Sequence, residues 1–119
     1  MGDLSEHFSR NEFVCKCCGS FIHNQKLIDE LEAIRSIWGQ RLHVTYHGGT
    51  RCPDQNDRSG GKPHSRHLTG EAADIWIETI SPADVYHELC KGYPDRCGIG
   101  HYHTFTHFDV RDEKARWGA

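Results

Sequence analysis

The chain has 119 residues, enough for one domain with a modest core but not for two. Only 36% of them are apolar, so that core is thin, and a bound metal or disulfides would add to its stability. A net charge of −3 with no run of basic residues argues against nucleic acid or an acidic membrane surface as a default partner, and no apolar stretch approaches the ~20 residues that span a bilayer.

The opening segment, Met1-Gly-Asp-Leu-Ser-Glu-His7, has neither the basic part nor the apolar run of a secretion signal. The expectation is a chain made in the cytoplasm that stays there or leaves by another route. Ser9-Arg-Asn-Glu12 has capping-box spacing and predicts a short helical turn. Leu27, Ile28, Leu31, Ile34 and Trp38 then recur at helical spacing, with Asn24 as N-cap and Gly39 as the stop. Their apolar face reads as core. Leu42-His-Val44-Thr-Tyr46 alternates as a half-buried strand does.

From His47 to His64 the chain is polar and holds four glycines and two prolines, which predicts a long loop. A loop of that length in a small domain is usually functional or disordered. Ala72 to Ile77 is the next strand candidate. Ser81-Pro82-Ala-Asp84 combines a cap, a proline at N1 and an acid at N3, opening a helix toward Cys90 that ends near Gly92. Two more strands are expected around Ile99 to Tyr102 and Thr106 to Val110. Helices first, then strands with one inserted helix, point to a single α+β domain over residues 1–119, with helices on a small, mostly antiparallel sheet.

The most informative segment is Ser65-Arg-His67-Leu-Thr-Gly70-Glu-Ala-Ala-Asp74, together with Thr106-His107-Phe-Asp109. Two imidazoles and a carboxylate suit a zinc ion with a coordination position left open for water. On a strand from Ala72 to Ile77, Asp74 shares a face with Ala72 and Trp76, while Ala73, Ile75 and Ile77 point the other way. A carboxylate inside an apolar strand needs a partner, and a metal provides one. If one strand continued through the region, His101, His103, Phe105, His107 and Asp109 would share a face, with Asp109 placed to orient an imidazole.

Six cysteines are many for a cytosolic domain of this size. Cys15-Lys-Cys17-Cys18-Gly19 is a knuckle that can begin a second zinc site, with Cys52 or a histidine completing it. The same residues can form disulfides, Cys90 with Cys97 closing a short loop, or stay as free thiols.

Ser65-x-His67-x-x-Gly70-x-Ala72-x-Asp74 followed by His107-x-Asp109 resembles the zinc D-alanyl-D-alanine carboxypeptidase family. The resemblance is to its branch of small bacterial and phage cell-wall enzymes, which includes L-alanyl-D-glutamate endopeptidases. Arg51-Cys-Pro-x-x-Asn56, Gly60-Gly61, Gly98-Ile-Gly100-x-Tyr102, His107-x-Asp109-x-Arg111 and the early Glu12-Phe-x-Cys15-x-Cys17 extend it over most of the chain.

The resemblance implies a hedgehog-type fold, Zn2+ on His67, Asp74 and His107, Arg51 on the substrate's carboxylate or on developing charge, and Ser65 near the substrate. It also implies a peptidoglycan stem peptide as substrate, cleaved by attack of zinc-activated water, and hence action at the cell wall. Two departures stand out. Family members often place an acidic base three residues before the last histidine ligand, where this chain has Thr104, so Asp109, His101 and His103 become the candidates. His47-Gly-Gly-Thr50 stands where relatives often have Ser-Gly-Tyr. The alternatives are a non-catalytic zinc-binding module of the same fold and a cysteine-based zinc-finger interaction domain.

Overall fold

The computed structural model describes residues 2–118. A single 3₁₀ turn, Arg10–Glu12, opens with the expected capping box, in which the Ser9 amide donates to Glu12 Oε2 at 2.7 Å. Helix α1 spans Gln25–Trp38. Asn24 Oδ1 accepts the Leu27 amide at 3.0 Å at its start, and Gly39 closes it in a left-handed conformation. Its buried stripe is Leu27, Ile28, Leu31 and Ile34, as the periodicity predicts.

Five strands form one sheet in the order β1-β2-β4-β3-β5: β1 (Leu42–Val44), β2 (Ala72–Ile77), β3 (Gly98–His101), β4 (Thr106–Asp109) and β5 (Ala115–Trp117). All neighbours pair antiparallel except β3 and β5, which run parallel. Between β2 and β3 lies helix α3, Pro82–Gly92, with Ser81 Oγ accepting the Asp84 amide at 3.1 Å. It packs against β2, β3 and β4.

Strand parity divides the sheet into two unlike faces. Ala73, Ile75 and Ile77 of β2, Ile99 of β3 and Phe108 of β4 join the stripes of α1 and α3 in one core, with Phe8 and Phe13 at its N-terminal end. The alternate residues form two rows across the other face. One row runs Asp74, His107, Gly100, Trp117, and the other Ala72, Asp109, Gly98, Ala115. The helices cover the first face, which leaves the second available for chemistry.

Three expectations change. The first strand stops at Val44 because the chain turns there, the Gly48 amide reaching back to the Thr45 carbonyl at 2.9 Å. The long polar stretch contains a short helix, α2 (Pro53–Arg58), started by Pro53 at N1 with Cys52 as its cap. Finally, β5 is a strand that the sequence reading does not include. No helix among the described residues is long and apolar enough to cross a membrane.

Leu31 is fully buried where α1 meets the core. Leu31→Ala is expected to lower the unfolding free energy by about 3 kcal/mol, read as a lower urea midpoint at an unchanged m-value.

Candidate metal centre

His67 stands on a short 3₁₀ turn, Arg66–Thr69, capped by Ser65, whose Oγ accepts the His67 amide at 3.2 Å. Asp74 and His107 face each other directly across the β2–β4 ladder. All three side chains are buried. His67 Nε2 lies 3.2 Å from Asp74 Oδ1, and His107 Nδ1 lies 3.1 Å from that same oxygen.

The opposite ring nitrogens fix what those atoms carry. His67 Nδ1 is 2.9 Å from the Gly49 carbonyl and His107 Nε2 is 2.8 Å from Asp109 Oδ2. Carbonyl and carboxylate oxygens only accept, so each of those nitrogens donates its hydrogen. In the neutral rings, His67 Nε2 and His107 Nδ1 therefore present lone pairs toward Asp74 Oδ1. Three electron-rich atoms converging in a buried place repel one another unless a proton or a cation sits between them. The ligand atoms all lie within 4.8 Å of one another, so the donor set fits a tetrahedral zinc ion with an open position.

The charge balance shows the same demand. Burial opposes the charge on Asp74, but its hydrogen bonds to His107 and His67 outweigh that and hold the carboxyl well below its usual range. Burial likewise opposes a charged His107, yet Asp109 and Asp74 on either side raise its pKa. Arg51 Nη2 donates to Asp74 Oδ2 at 3.0 Å, which leaves Oδ1 as the oxygen facing the histidines.

Asp109 is the support behind the centre. Its carboxylate accepts from the Gly98 amide at 3.0 Å, the Arg111 amide at 3.2 Å, Arg111 Nε and Nη2 at 2.8 Å each, and His107 Nε2 at 2.8 Å. Burial opposes its charge too, but the bonds from His107 and Arg111 hold its pKa down. The β3 glycines make room for this arrangement. A Cβ on Gly98 would sit 2.3 Å from Asp109 Oδ2, and one on Gly100 would sit 2.3 Å from Trp117 Nε1. Without a side chain at Gly100, Trp117 reaches across β3 until its ring centre is 5.0 Å from that of His107.

In front of the ligands is a cavity of about 850 Å3, within the range of ligand sites. Tyr102, Phe105 and Trp117 form an aromatic wall, in which Trp117 Nε1 donates to the Tyr102 hydroxyl at 2.9 Å. Arg51, Lys62, Arg66 and Arg111 make the rest of the lining strongly basic, and Asp74 is the only acid among the described lining residues. The loop from Ser59 to His64 forms one rim, tied down where Asn56 Nδ2 donates to the Lys62 carbonyl at 2.9 Å.

Three of the expected catalytic candidates do not reach this cavity. Asp109 is fully buried behind His107 with both oxygens engaged, so it positions a ligand and cannot take a proton from substrate. His101 and His103 owe their nomination to a continuous strand, and the chain instead turns between β3 and β4, the Tyr102 amide donating to the Phe105 carbonyl at 3.1 Å. His101 consequently faces α3, tilted against Tyr86, while His103 and Thr104 are exposed at the tip of the turn. Ser65 lines the cavity, where its Oγ accepts the His67 amide in the local turn and its O–H is not engaged by that bond. Arg51 also lines it, with its Nε on the His47 carbonyl at 2.9 Å and Nη2 on Asp74. None of the six cysteines is in a disulfide, so of the alternatives left open for them the Cys90–Cys97 bridge is not formed. Sequence reasoning missed Trp117, Phe105 and Lys62 as wall residues. The signal for Trp117 was the Gly98-Ile-Gly100 spacing, which leaves a vacant strip that a large side chain must cover.

A buried cluster of two histidines and one aspartate beneath a lined cavity has the donor set of a metallohydrolase. The sequence pattern described as Peptidase M15 matches residues 6–109, and the chain belongs to that family of zinc-dependent peptidases. No individual curated protein matches it.

Asp74 and Asp109 both have depressed pKa values, so the stability they contribute is fully present above the unfolded carboxyl value of about 4 and is lost as the pH falls toward their folded values. Chelator-treated protein should therefore show a urea midpoint that declines from about pH 5 to about pH 3. Asp109→Asn should lower the midpoint at neutral pH and flatten that decline. It should also weaken zinc binding by about 10- to 100-fold in competition with a chromophoric chelator.

Proposed function

We propose that the protein is a zinc peptidase of peptidoglycan stem peptides, made in the cytoplasm and acting at the bacterial cell wall. The observation that carries this reading is the basic cavity built directly over His67, Asp74 and His107. Stem peptides are short and anionic, with a free carboxylate at the D-Ala-D-Ala end and another on D-glutamate. Arg51 is partly balanced by Asp74, Arg66 by Glu71 and Arg111 by Asp109, so Lys62 and the remaining donor of Arg51 are the groups that attract such a chain over a neutral or basic peptide.

His67, Asp74 and His107 would hold zinc, which when bound would supply a Lewis acid for the scissile carbonyl and lower the pKa of a water for attack. The chain's own residues do the rest. Arg51 is anchored by its Nε, and its Nη1 makes no hydrogen bond to a described residue, so it retains a donor for a substrate carboxylate. Tyr102, Phe105 and Trp117 offer the substrate an aromatic surface. His107 keeps its orientation because Asp109 and Arg111 brace it from behind.

With Thr104 outside the cavity, the proton-accepting role falls to another lining group. Arg51, Lys62, Arg66 and Arg111 offer hydrogen-bond donors and no acceptor, and His67 and His107 would hold the metal. His64, on the rim loop, is the remaining imidazole in the lining, and its ring nitrogens can both accept and donate a proton. We assign it that role.

The test is incubation of zinc-loaded protein with a synthetic stem pentapeptide, followed by mass spectrometry. Release of D-alanine indicates the carboxypeptidase specificity, and cleavage after L-alanine indicates the endopeptidase. Either must disappear with chelator and return with zinc. Zinc retained with neither cleavage would sink the peptidase reading in favour of a non-catalytic zinc module, which the lack of a second acid among the described lining residues favours. His64→Ala should lower kcat by about 100-fold while leaving zinc content unchanged. Arg51→Lys should cost about 100-fold in kcat/KM, because an ammonium cannot hold Asp74 and a carboxylate in one plane.

A further inference from the structure

A second group of potential ligands lies apart from the cavity. The sulfurs of Cys15, Cys18 and Cys52 are all within 4.8 Å of one another. Tetrahedral zinc with Zn–S bonds of about 2.3 Å requires sulfurs roughly 3.8 Å apart, so only small side-chain rotations separate this arrangement from a closed site. Cys18 is exposed and Cys52 half-buried, so those rotations are sterically available, while buried Cys15 provides the fixed point.

The backbone is already shaped for such a site. Cys15 and Cys18 have the two-residue spacing of a zinc knuckle, followed by Gly19 in the left-handed region at φ 78°. The turn is closed by the Gly19 amide on the Cys15 carbonyl at 2.7 Å and by the Cys15 amide on the Ser20 carbonyl at 2.8 Å. The Cys52 amide donates to Cys15 Sγ at 3.4 Å, and the amides of Cys17 and Cys18 are directed at the same sulfur. The Gln55 amide donates to Cys52 Sγ at 3.4 Å. Burial opposes a charge on Cys15, but the N–H groups directed at its sulfur lower its pKa to about 7; Cys52, despite the Gln55 amide, is pushed up to about 11 by burial and by the neighbouring sulfurs, a crowding that a cation among them would relieve. Cys17 neighbours Cys52 but lies outside the set of three sulfurs within 4.8 Å of one another, so it must turn further than the others to complete a tetrahedron.

We propose that Cys15, Cys18 and Cys52 bind a second, structural zinc ion, with Cys17 as the fourth ligand. Four sulfurs leave no open position, so this site has no direct part in hydrolysis. Its effect is mechanical. It joins the N-terminal knuckle to the residue after Arg51, in a region already stitched by the Thr50 amide on the Phe13 carbonyl at 2.7 Å. The metal would thus fix the backbone that presents Arg51 to Asp74.

Metal counting tests this independently of peptidase activity. Protein purified under reducing conditions should carry two zinc equivalents per chain by inductively coupled plasma mass spectrometry. His67→Ala should leave one, Cys52→Ser should leave one, and the double variant none. Cysteine variants that fail to fold do not block the test, because His67→Ala protein reconstituted with Co2+ reports on the thiolates directly. It should show intense near-ultraviolet sulfur-to-cobalt charge-transfer absorption and the visible bands of a tetrahedral tetrathiolate. Cys17→Ser in that background should weaken the charge-transfer band by about a quarter, as one of four thiolates is lost. Absence of the charge-transfer band from the His67→Ala protein, or a single zinc that disappears with His67, would overturn the site. An unchanged spectrum in Cys17→Ser would overturn the fourth ligand.

Discussion

The constraint on which the site depends is the register that puts Asp74 opposite His107. A slip of one residue between β2 and β4 would turn the carboxylate into the hydrophobic core and bring Ala73 or Ile75 to the metal face. The core holds that register in place. Ala73, Ile75 and Ile77 can all be buried only if Asp74 points the other way, so the apolar residues that stabilise the sheet also place the ligand. His67 is then the one ligand that must come from outside the sheet, and its ring is aimed by the Gly49 carbonyl.

Around that register the protein has assembled charges that need one another. Asp74 lies among two imidazoles and a guanidinium, and Asp109 is surrounded by five donors. Buried ions of this kind add little net stability, but removing one partner leaves the others uncompensated at a cost of several kcal/mol. The consequence is rigidity. The histidine ligands have few alternative positions, which is what a metal centre needs in order to keep a position open.

Much of this was legible in the sequence. α1, α3 and β2 followed from periodicity and caps, and the clustering of His67, Asp74 and His107 from two compact motifs. What stayed hidden had physical reasons. The residues from His101 to Asp109 alternate so evenly that they read as one strand. The turn that divides them, Tyr102-His-Thr-Phe105, contains none of the glycine, proline, asparagine or aspartate that usually marks a turn. That gap produced the misplaced roles for His101 and His103. α2 was hidden because its cap is a cysteine, and β5 because Ala-Arg-Trp is too short to show a period.

The bare strip on β3 has a consequence for how such a site can diversify. Because Gly98 and Gly100 offer no side chains, this wall of the cavity is borrowed from Trp117, a residue of the short parallel edge strand that ligates nothing. It rests against His107, Tyr102 and Arg111 without supporting the β2–β4 ladder. Shape selection and metal binding are thereby carried by different strands. A new substrate contour can be cut by exchanging one indole at the edge of the sheet, with the register that holds the ligands left as it is.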